Sequence, residues 1–361
     1  MTLNTLLNEK TEYLSPTQRI KNAKKIVVFG AGGCGERAIG WIRSQGLTAY
    51  LVADNDIKKQ GQTLDGIVII SPQELKEIYD ENMLICIAST WASEISKQLL
   101  EMGCNNYIDL SNWIMGLDKH FEQNLIIENI NYWNEVHQLL ADDESKKVFE
   151  GIIKYRLTFN PVYINESIYP QYMHPIVQPE EGDIIIDAGA WQGDTVSSFA
   201  KSVNKNCLIY ALEPETSNYE ILLTTIRKNS LDNIVKPLKY GVSDSSKRVY
   251  FNIDKQNSGS YEVVEYDTGL HIDVISIDNL VHEMNFIPNL IKMDIEGSEY
   301  DALCGAENTI KEHKPKLQIC VYHKWDDIWK LLKKIVDINA EYKFYLGHHT
   351  GNITETVLYA V

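Results

Sequence analysis

Acids and glycines follow two apolar runs in the middle of the chain, in an order that suits the binding of a charged ligand. One apolar run ends at Asp187 and passes into a turn containing Gly189 and Gly193. A second run, 208–212, ends at Glu213. The glycines let the backbone pass close to a ligand, and an acid after the second strand accepts from ribose hydroxyls. These residues predict a site for a ribose-containing cofactor.

The same turn carries Asp194 where a dinucleotide would place its pyrophosphate. Like charges repel, whereas a carboxylate accepts a hydrogen bond from an ammonium group. S-adenosylmethionine therefore fits the turn better than NAD does. We expect its binding residues to span the turn and the end of the next strand, as follows: Asp187, Gly189, Ala190, Gly193, Asp194, Thr195 and Glu213.

Two later apolar runs end in residues suited to proton transfer. Asp294 and Glu296 follow one run, and His323 follows the next. A histidine with an ordinary pKa of about 6.5 can act as a base at neutral pH, and a carboxylate can orient it. If the two strands are neighbours, His323 with Asp294 or Glu296 supplies a catalytic base for a hydroxyl group. Glu299, at the start of the following helix, is expected to complement the helix dipole.

Taken together and in this order, five motifs resemble those of the FkbM-type S-adenosylmethionine-dependent methyltransferases. The resemblance runs from about Gln171 to the C-terminus. It implies a class I methyltransferase domain that transfers a methyl group to oxygen, commonly on a sugar or a sugar-bearing natural product. The matching motifs are Asp187-Ala-Gly-Ala-x-x-Gly-Asp-Thr195, Glu213-Pro214, Lys292-Met-Asp-Ile-Glu-Gly297 with Glu299, Tyr322-His323-Lys324 and Glu355-Thr-Val-Leu-Tyr-Ala360.

Two further segments have roles that the sequence leaves open. The resemblance places Gln171 and Tyr172 where they can close over the methionine end of the cofactor, and simple packing is an equal alternative. Ser243 and Asp244 can accept from the adenine amino group, or they can form an ordinary turn.

A divalent metal near the transferred methyl group is also left open. Asp294 and His323 could bind it together with Asp326 or Asp327. Magnesium prefers several oxygen ligands, so a histidine would be an unusual contributor. The adjacent histidines at 348 and 349 could bind acceptor or cofactor, or lie in a solvated loop.

A second glycine motif lies near the N-terminus. The apolar run 25–29 leads into Gly-Ala-Gly-Gly-Cys-Gly at 30–35, a helix-length segment and a strand that ends at Asp54. This is the full context of a dinucleotide fingerprint. However, no Tyr-x-x-x-Lys or comparable proton-relay pair is present in this half. The region resembles the small Rossmann-like domains found beside polysaccharide-modifying and nucleotide-sugar enzymes, so a bound nucleotide and a purely structural role both stay open.

The predicted fold is α/β with two Rossmann-like domains joined by a helical connector, the C-terminal one having a seven-stranded class I sheet. The expected boundaries are 1–112 for the N-terminal domain, 113–180 for the connector and 181–361 for the methyltransferase domain. Residues 1–20 are expected to form a polar lead-in with a short helix. In the connector, Asp142 should cap a helix whose apolar face comprises Val148, Phe149, Ile152, Ile153 and Tyr155.

Composition narrows the possible partners. A net charge of -16 and the lack of a basic stretch argue against nucleic acid. No apolar run has membrane length, and the first residues lack a signal-peptide pattern, so we expect a cytoplasmic protein with no membrane insertion. The six cysteines form no C-x-x-C pair and are expected to be reduced. A small-molecule or glycan acceptor and a homo-oligomer are the expected partners.

The competing function is an oxidoreductase or sensor that binds NAD(P) or a sugar nucleotide through the N-terminal domain. In that case the C-terminal domain would be non-catalytic. The complete set of Asp187, Glu213, Asp294 and His323 favours the methyltransferase.

Overall fold

The computed structural model describes residues 14–254, 260–264 and 267–361. The first part of the predicted lead-in, residues 1–13, lies outside them. Contacts between Cα atoms divide the chain into two compact units. The N-terminal unit comprises residues 1–138, 142–167 and 348–354, and the C-terminal unit comprises residues 139–141, 168–347 and 355–361. The segment predicted as a connector is thus shared between the two units, and the three-part division stays a prediction.

The N-terminal unit is built around a six-stranded sheet. Its strands are β1 Lys25–Phe29, β2 Leu51–Ala53, β3 Thr63–Leu64, β4 Ile67–Ile70, β5 Met83–Ile87 and β6 Tyr107–Asp109. They lie in the order β3-β4-β2-β1-β5-β6, with all neighbours parallel except β3 and β4. Strand β5 is buried throughout, as expected for a parallel sheet covered on both faces.

Helices alternate with these strands along the chain, and further helices follow the last strand. They are α1 Pro16–Asn22, α2 Gly33–Ser44, α3 Pro72–Ile78, α4 Ala92–Glu101, α5 Gln123–Glu128, α6 Ile130–Leu139 and α7 Asp143–Thr158. Asp142 caps α7 by accepting from the amide of Ser145 at 2.8 Å, as predicted. The predicted apolar face of α7 is buried. A π-helical turn at Trp113–Leu117 and 3-10 turns at Asp118–Phe121 and Pro161–Tyr163 complete the segment.

The C-terminal unit contains a seven-stranded sheet and a smaller four-stranded one. The strands are β7 Ile184–Ala188, β8 Leu208–Leu212, β9 Val235–Leu238, β10 Gly241–Val242, β11 Lys247–Asp254, β12 Ser260–Val264, β13 His271–Ile275, β14 Leu290–Met293, β15 Lys316–Cys320, β16 Phe344–His348 and β17 Thr356–Ala360. The larger sheet has the order β16-β17-β15-β14-β7-β8-β9, and the smaller has the order β10-β13-β11-β12. The predicted seven-stranded sheet is confirmed.

Its helices are α8 Asp194–Ser202, α9 Thr216–Lys228, α10 Ile277–Met284, α11 Glu299–Cys304, α12 Glu307–His313 and α13 Asp327–Ile338. The sequence predicts one helix over 298–312, and this is wrong because the chain breaks into α11 and α12 at Gly305. A Cβ at Gly305 would lie 2.2 Å from the carbonyl oxygen of Ser243. The close approach of another backbone therefore requires glycine there.

Candidate active site

The strand order brings the predicted site residues to one edge of the C-terminal sheet. β7 lies between β8 and β14, and β14 lies beside β15, all in parallel. Asp187, Glu213, Asp294 and His323 lie at or just after the carboxyl ends of these four strands. The chain reverses its direction of strand addition at β7, which is where open α/β sheets bind ligands.

The glycine turn after β7 is shaped by the protein itself. A Cβ at Gly189, whose φ is +77°, would lie 1.8 Å from the carbonyl oxygen of Asp294. A Cβ at Gly193, with φ of +87°, would lie 2.9 Å from Leu222. Internal packing and the positive φ angles thus favour glycine at both positions, and their contact with a ligand stays a prediction. Gly189 lets the turn lie against the end of β14, and Gly193 lets it lie against α9.

Asp187 is fully buried and forms an ion pair with Lys292. The two residues are register partners across β7 and β14, so their side chains lie on the same side of the sheet. Lys292 Nζ is 2.9 Å from Asp187 Oδ1 and donates to the carbonyl oxygen of Gly189 at 2.7 Å. Burial alone would lower the pKa of Lys292, but the charge of Asp187 raises it, so the ammonium stays charged. Asp187 thus fixes the turn through Lys292.

Glu213 is buried and receives two backbone amides. Oε2 accepts from Trp191 and Oε1 accepts from Glu215, both at 2.9 Å. Burial raises the pKa of Glu213, against the lowering effect of these amides. Each carboxylate oxygen keeps a second lone pair, which can accept from a ribose hydroxyl. The geometry suits the predicted role.

Asp294 is held by two tyrosine hydroxyls. Tyr172 donates to Oδ2 at 3.0 Å, and Tyr322 donates to Oδ1 at 3.3 Å. Tyr172 has φ of +63°, a backbone conformation that costs energy for a residue with a side chain. The amide of Gln318 donates to the carbonyl oxygen of Tyr172 at 2.8 Å and so helps to hold it there. Gln171, the residue before, donates to Glu355.

His323 lies among three carboxylates. Its Nδ1 is 3.0 Å from Glu299 Oε1, and its Nε2 is 3.4 Å from Asp294 Oδ1 and 3.6 Å from Glu296 Oε2. Burial lowers the pKa of His323, but the hydrogen bond to Glu299 and the three negative charges raise it to about 9. His323 is therefore a positively charged imidazolium at neutral pH. It must lose one proton before it can accept the proton of a hydroxyl group. The structure brings together the predicted base and both predicted partners.

Glu299 has a larger part in this cluster than the sequence suggests. Only 1% of the residue is exposed, and Oε1 accepts from the amide of Ile295 at 2.9 Å as well as facing His323. Sequence reasoning assigned it to the helix dipole and missed its contact with the histidine. The spacing of Glu299 in the same motif as Asp294 was the available signal. Lys292 was missed in the same way, although a lysine inside an apolar strand is rarely buried without a partner.

The remaining predicted residues lie elsewhere. Asp244 accepts from the hydroxyls of Ser243 and Ser245 and from Lys247, which lowers its pKa to about 2. This is the turn alternative, and adenine binding stays a prediction. Asp327 accepts from the amide of Lys324, at the start of α13. The histidines at 348 and 349 belong by their contacts to the N-terminal unit.

The N-terminal unit has a cavity of about 610 Å³ at its own glycine motif. The cavity is lined by the loop 29–34, by residues that follow β2 and β5, and by α4. Asp54 Oδ2 accepts from the amide of Ala31 at 2.7 Å and from Lys59 at 3.1 Å. Trp91, also in the lining, is 66% exposed. This cavity is a second candidate site.

The seven-stranded order, with β17 antiparallel to β15, is the plan of a class I methyltransferase. The model of the methyltransferase FkbM domain matches residues 187–346, and the C2185-like N-terminal model matches residues 22–108. Residues 187–346 therefore carry a methyltransferase FkbM domain, as the motifs indicated, and the protein is a methyltransferase.

Two relatives extend these findings. A hexuronic acid methyltransferase, AglP, from Haloferax volcanii is 27% identical over 185 residues, which are 48% of this chain and 74% of that protein. The crystal structure of a methyltransferase FkbM from Methylobacillus flagellatus has a TM-score of 0.76 at 24% identity. The match covers 99% of this chain and 96% of the chain in that crystal structure, and it confirms the fold. Within the described ranges, no helix combines the length and the apolar character needed to cross a membrane.

Proposed function

We propose that this protein methylates a hydroxyl oxygen of a sugar, a glycan or a sugar-containing metabolite. The observation that carries the proposal is the cluster of His323, Asp294 and Glu296 beside the cofactor edge of the sheet. Such a cluster can hold a polyhydroxylated acceptor by its oxygens and take up a proton. The similarity to a hexuronic acid methyltransferase supports a sugar as acceptor.

In the proposed reaction, an acceptor oxygen attacks the methyl group on the sulfonium. The oxygen–carbon bond forms as the sulfur–carbon bond breaks, which leaves S-adenosylhomocysteine. The hydroxyl proton passes to the cluster, where His323 is the proposed acceptor once its own proton has left. Much of the acceleration comes from holding the oxygen in line with the methyl group.

The proposed cofactor site follows the carboxyl ends of β7, β8 and β10. Glu213 would bind the ribose, Asp194 the ammonium group, and Gln171 and Tyr172 would lie near the methionine end. The other proposed contacts are those of Asp187, Gly189, Ala190, Gly193, Thr195, Ser243 and Asp244. In this set, Asp187 would act through Lys292 rather than by direct contact, because its side chain is fully buried.

We expect the full chain to transfer a labelled methyl group from S-adenosylmethionine to hexuronic acid glycosides, with formation of an O-methyl ether. Mass spectrometry of the product locates the methyl group. Transfer to an amine or a carboxylate, with none to a hydroxyl, would contradict the proposal.

Cofactor binding is tested separately by Glu213→Gln. This change keeps the size of the side chain but removes its charge, so S-adenosylhomocysteine should bind roughly tenfold to a hundredfold more weakly. Calorimetric titration measures the difference. Glu220→Gln, an exposed glutamate of α9, is the matched control and should leave binding unchanged. Equal affinity in both variants would remove Glu213 from the cofactor site.

We propose, second, that the N-terminal cavity binds a nucleoside diphosphate. The glycines of its loop differ in the space that a side chain would have at each position. A Cβ at Gly30 would lie 2.3 Å from the carbonyl oxygen of Ala88, and one at Gly35 would lie 2.0 Å from that of Gly30. A Cβ at Gly32 or Gly33 would meet nothing within 4 Å. Packing therefore explains the outer glycines, and the open space beside the inner ones leaves room for a ligand close to the loop.

The polar groups of the cavity suit a nucleoside diphosphate. The amides at the start of α2 and the ammonium of Lys59 can bind phosphate oxygens. Asp54 accepts from Ala31, Lys59 and the amide of Asp56, and so holds the glycine loop and the lysine in place. The exposed ring of Trp91 can stack on a base.

We expect UDP or ADP to bind the full chain and Gly32→Val to weaken that binding by about tenfold or more, because the new methyl groups occupy the phosphate position. Fluorescence or calorimetric titration gives the affinity. Gly40→Val is the matched control, since a Cβ at Gly40 of α2 also meets open space. Binding of NAD alone would replace the proposal with a dinucleotide site, and no binding of any of the three would leave the unit structural.

A further inference from the structure

Asp294, Glu299 and His323 have the chemistry of a metal site. One ligand atom from each residue lies within 4.8 Å of the ligand atoms of the other two. The three residues come from different elements, namely the ends of β14 and β15 and the start of α11. Two carboxylates and one imidazole are ligands that divalent first-row cations accept.

A buried oxygen of Glu299 points to a missing ligand. Glu299 Oε2 is inaccessible to solvent and has no hydrogen-bond partner among the described residues. Its other oxygen is occupied by the amide of Ile295 and by His323. A buried carboxylate is unfavourable unless it is paired or coordinates a metal. A bound cation would supply the partner that this oxygen lacks among the described residues.

The neighbouring lysines are already engaged. Lys292 is paired with Asp187 of β7 and donates to the carbonyl oxygen of Gly189. Lys324 donates to the carbonyl oxygen of Gly297. Three carboxylates thus face one imidazole, with Glu296 as the third. The negative charge is in excess at this place.

We propose that Asp294, Glu299 and His323 bind a divalent cation of the Mn²⁺ type beside the methyl-transfer site. Three protein ligands leave coordination positions for water or for two neighbouring oxygens of a sugar acceptor. The Asp294 side chain remains 24% exposed, so the site is open on the side from which an acceptor can approach. The role toward the acceptor rests on the proposed function, whereas the binding of the cation does not. When the cation is bound, His323 is a ligand and cannot accept the hydroxyl proton, so the exposed carboxylate of Glu296 accepts it in place of the imidazole. The set differs from the predicted one, because Glu299 takes the place of Asp326 or Asp327.

Titration with Mn²⁺ tests the inference without any methyl transfer. The full chain is freed of metal with a chelator, and the loss of the electron paramagnetic resonance signal of free Mn²⁺ measures binding. We expect one Mn²⁺ per chain, bound at least about tenfold more weakly in Glu299→Gln. The exposed Glu312→Gln on α12 is the matched control and should bind as the unchanged chain does.

Asp294→Asn, at a partly exposed position, gives the same test if Glu299→Gln does not fold, and circular dichroism reports folding. Absence of Mn²⁺ binding by the unchanged chain would overturn the inference, as would equal binding by the ligand variants and the control. A chain that binds Mn²⁺ at this site but methylates no hydroxyl would sink the proposed function and leave the metal site standing. Full methyl transfer by a chain that binds no Mn²⁺ would overturn the metal site and leave the proposed function standing.

Discussion

Replacing Lys292 by methionine is expected to lower the free energy of unfolding of the C-terminal unit by about 3–5 kcal/mol. The change keeps an unbranched side chain in a fully buried place but leaves the Asp187 carboxylate without its cation. It also removes the donor to the carbonyl oxygen of Gly189. Urea unfolding followed by circular dichroism measures the effect.

Removing both charges separates the cost of an unpaired Asp187 carboxylate from a loss of packing. In Lys292→Met with Asp187→Asn, neither charge of the pair remains, so most of the lost stability should return. Lys330→Met is the surface control, since its pair with Asp326 is partly exposed and should contribute no more than about 1 kcal/mol. A double variant that is as unstable as Lys292→Met would show that the ion pair is not the cause.

The fold could be predicted because its signals are local. Apolar runs such as Lys25–Phe29 and Ile184–Ala188 form strands, and a glycine turn follows each. Parallel neighbouring strands end at the same edge of the sheet, so acids that follow such strands lie near one another. Asp187, Glu213 and Asp294 therefore came together as predicted, and so did His323 once β14 and β15 proved to be neighbours.

The partners of these residues could not be predicted, because they depend on register and on the path of loops. Lys292 faces Asp187 through the pairing of two strands that are distant in sequence. Glu299 reaches His323 because the loop before α11 turns sharply, with Glu296 at φ of +55° and Gly297 at φ of +91°. The close approach of other parts of the chain to Gly189 and Gly193 could not be predicted either, because it depends on the path of the loops.

Substitution of His323 by alanine is expected to reduce kcat for methyl transfer by about 10²–10⁴-fold. The imidazole faces Asp294, Glu296 and Glu299 together, so its loss removes the proposed proton acceptor in the metal-free chain and a proposed ligand in the metal-bound one. S-adenosylhomocysteine should bind unchanged, because Glu213 and the glycine turn stay in place. Steady-state kinetics with labelled cofactor and calorimetric titration give the two values, with the exposed His282→Ala as the matched control.

A double variant tests whether His323 and Asp294 act as one unit. Asp294→Asn keeps the shape of the side chain and should itself lower kcat, because the charge beside the imidazole is lost. If the two groups serve the same step, the combined variant should be about as slow as the slower single variant, since residues that act as a unit are strongly non-additive. Fully multiplicative losses would mean that the two residues act in separate steps. A His323→Ala enzyme with kcat close to that of the His282 control would place proton transfer outside this cluster.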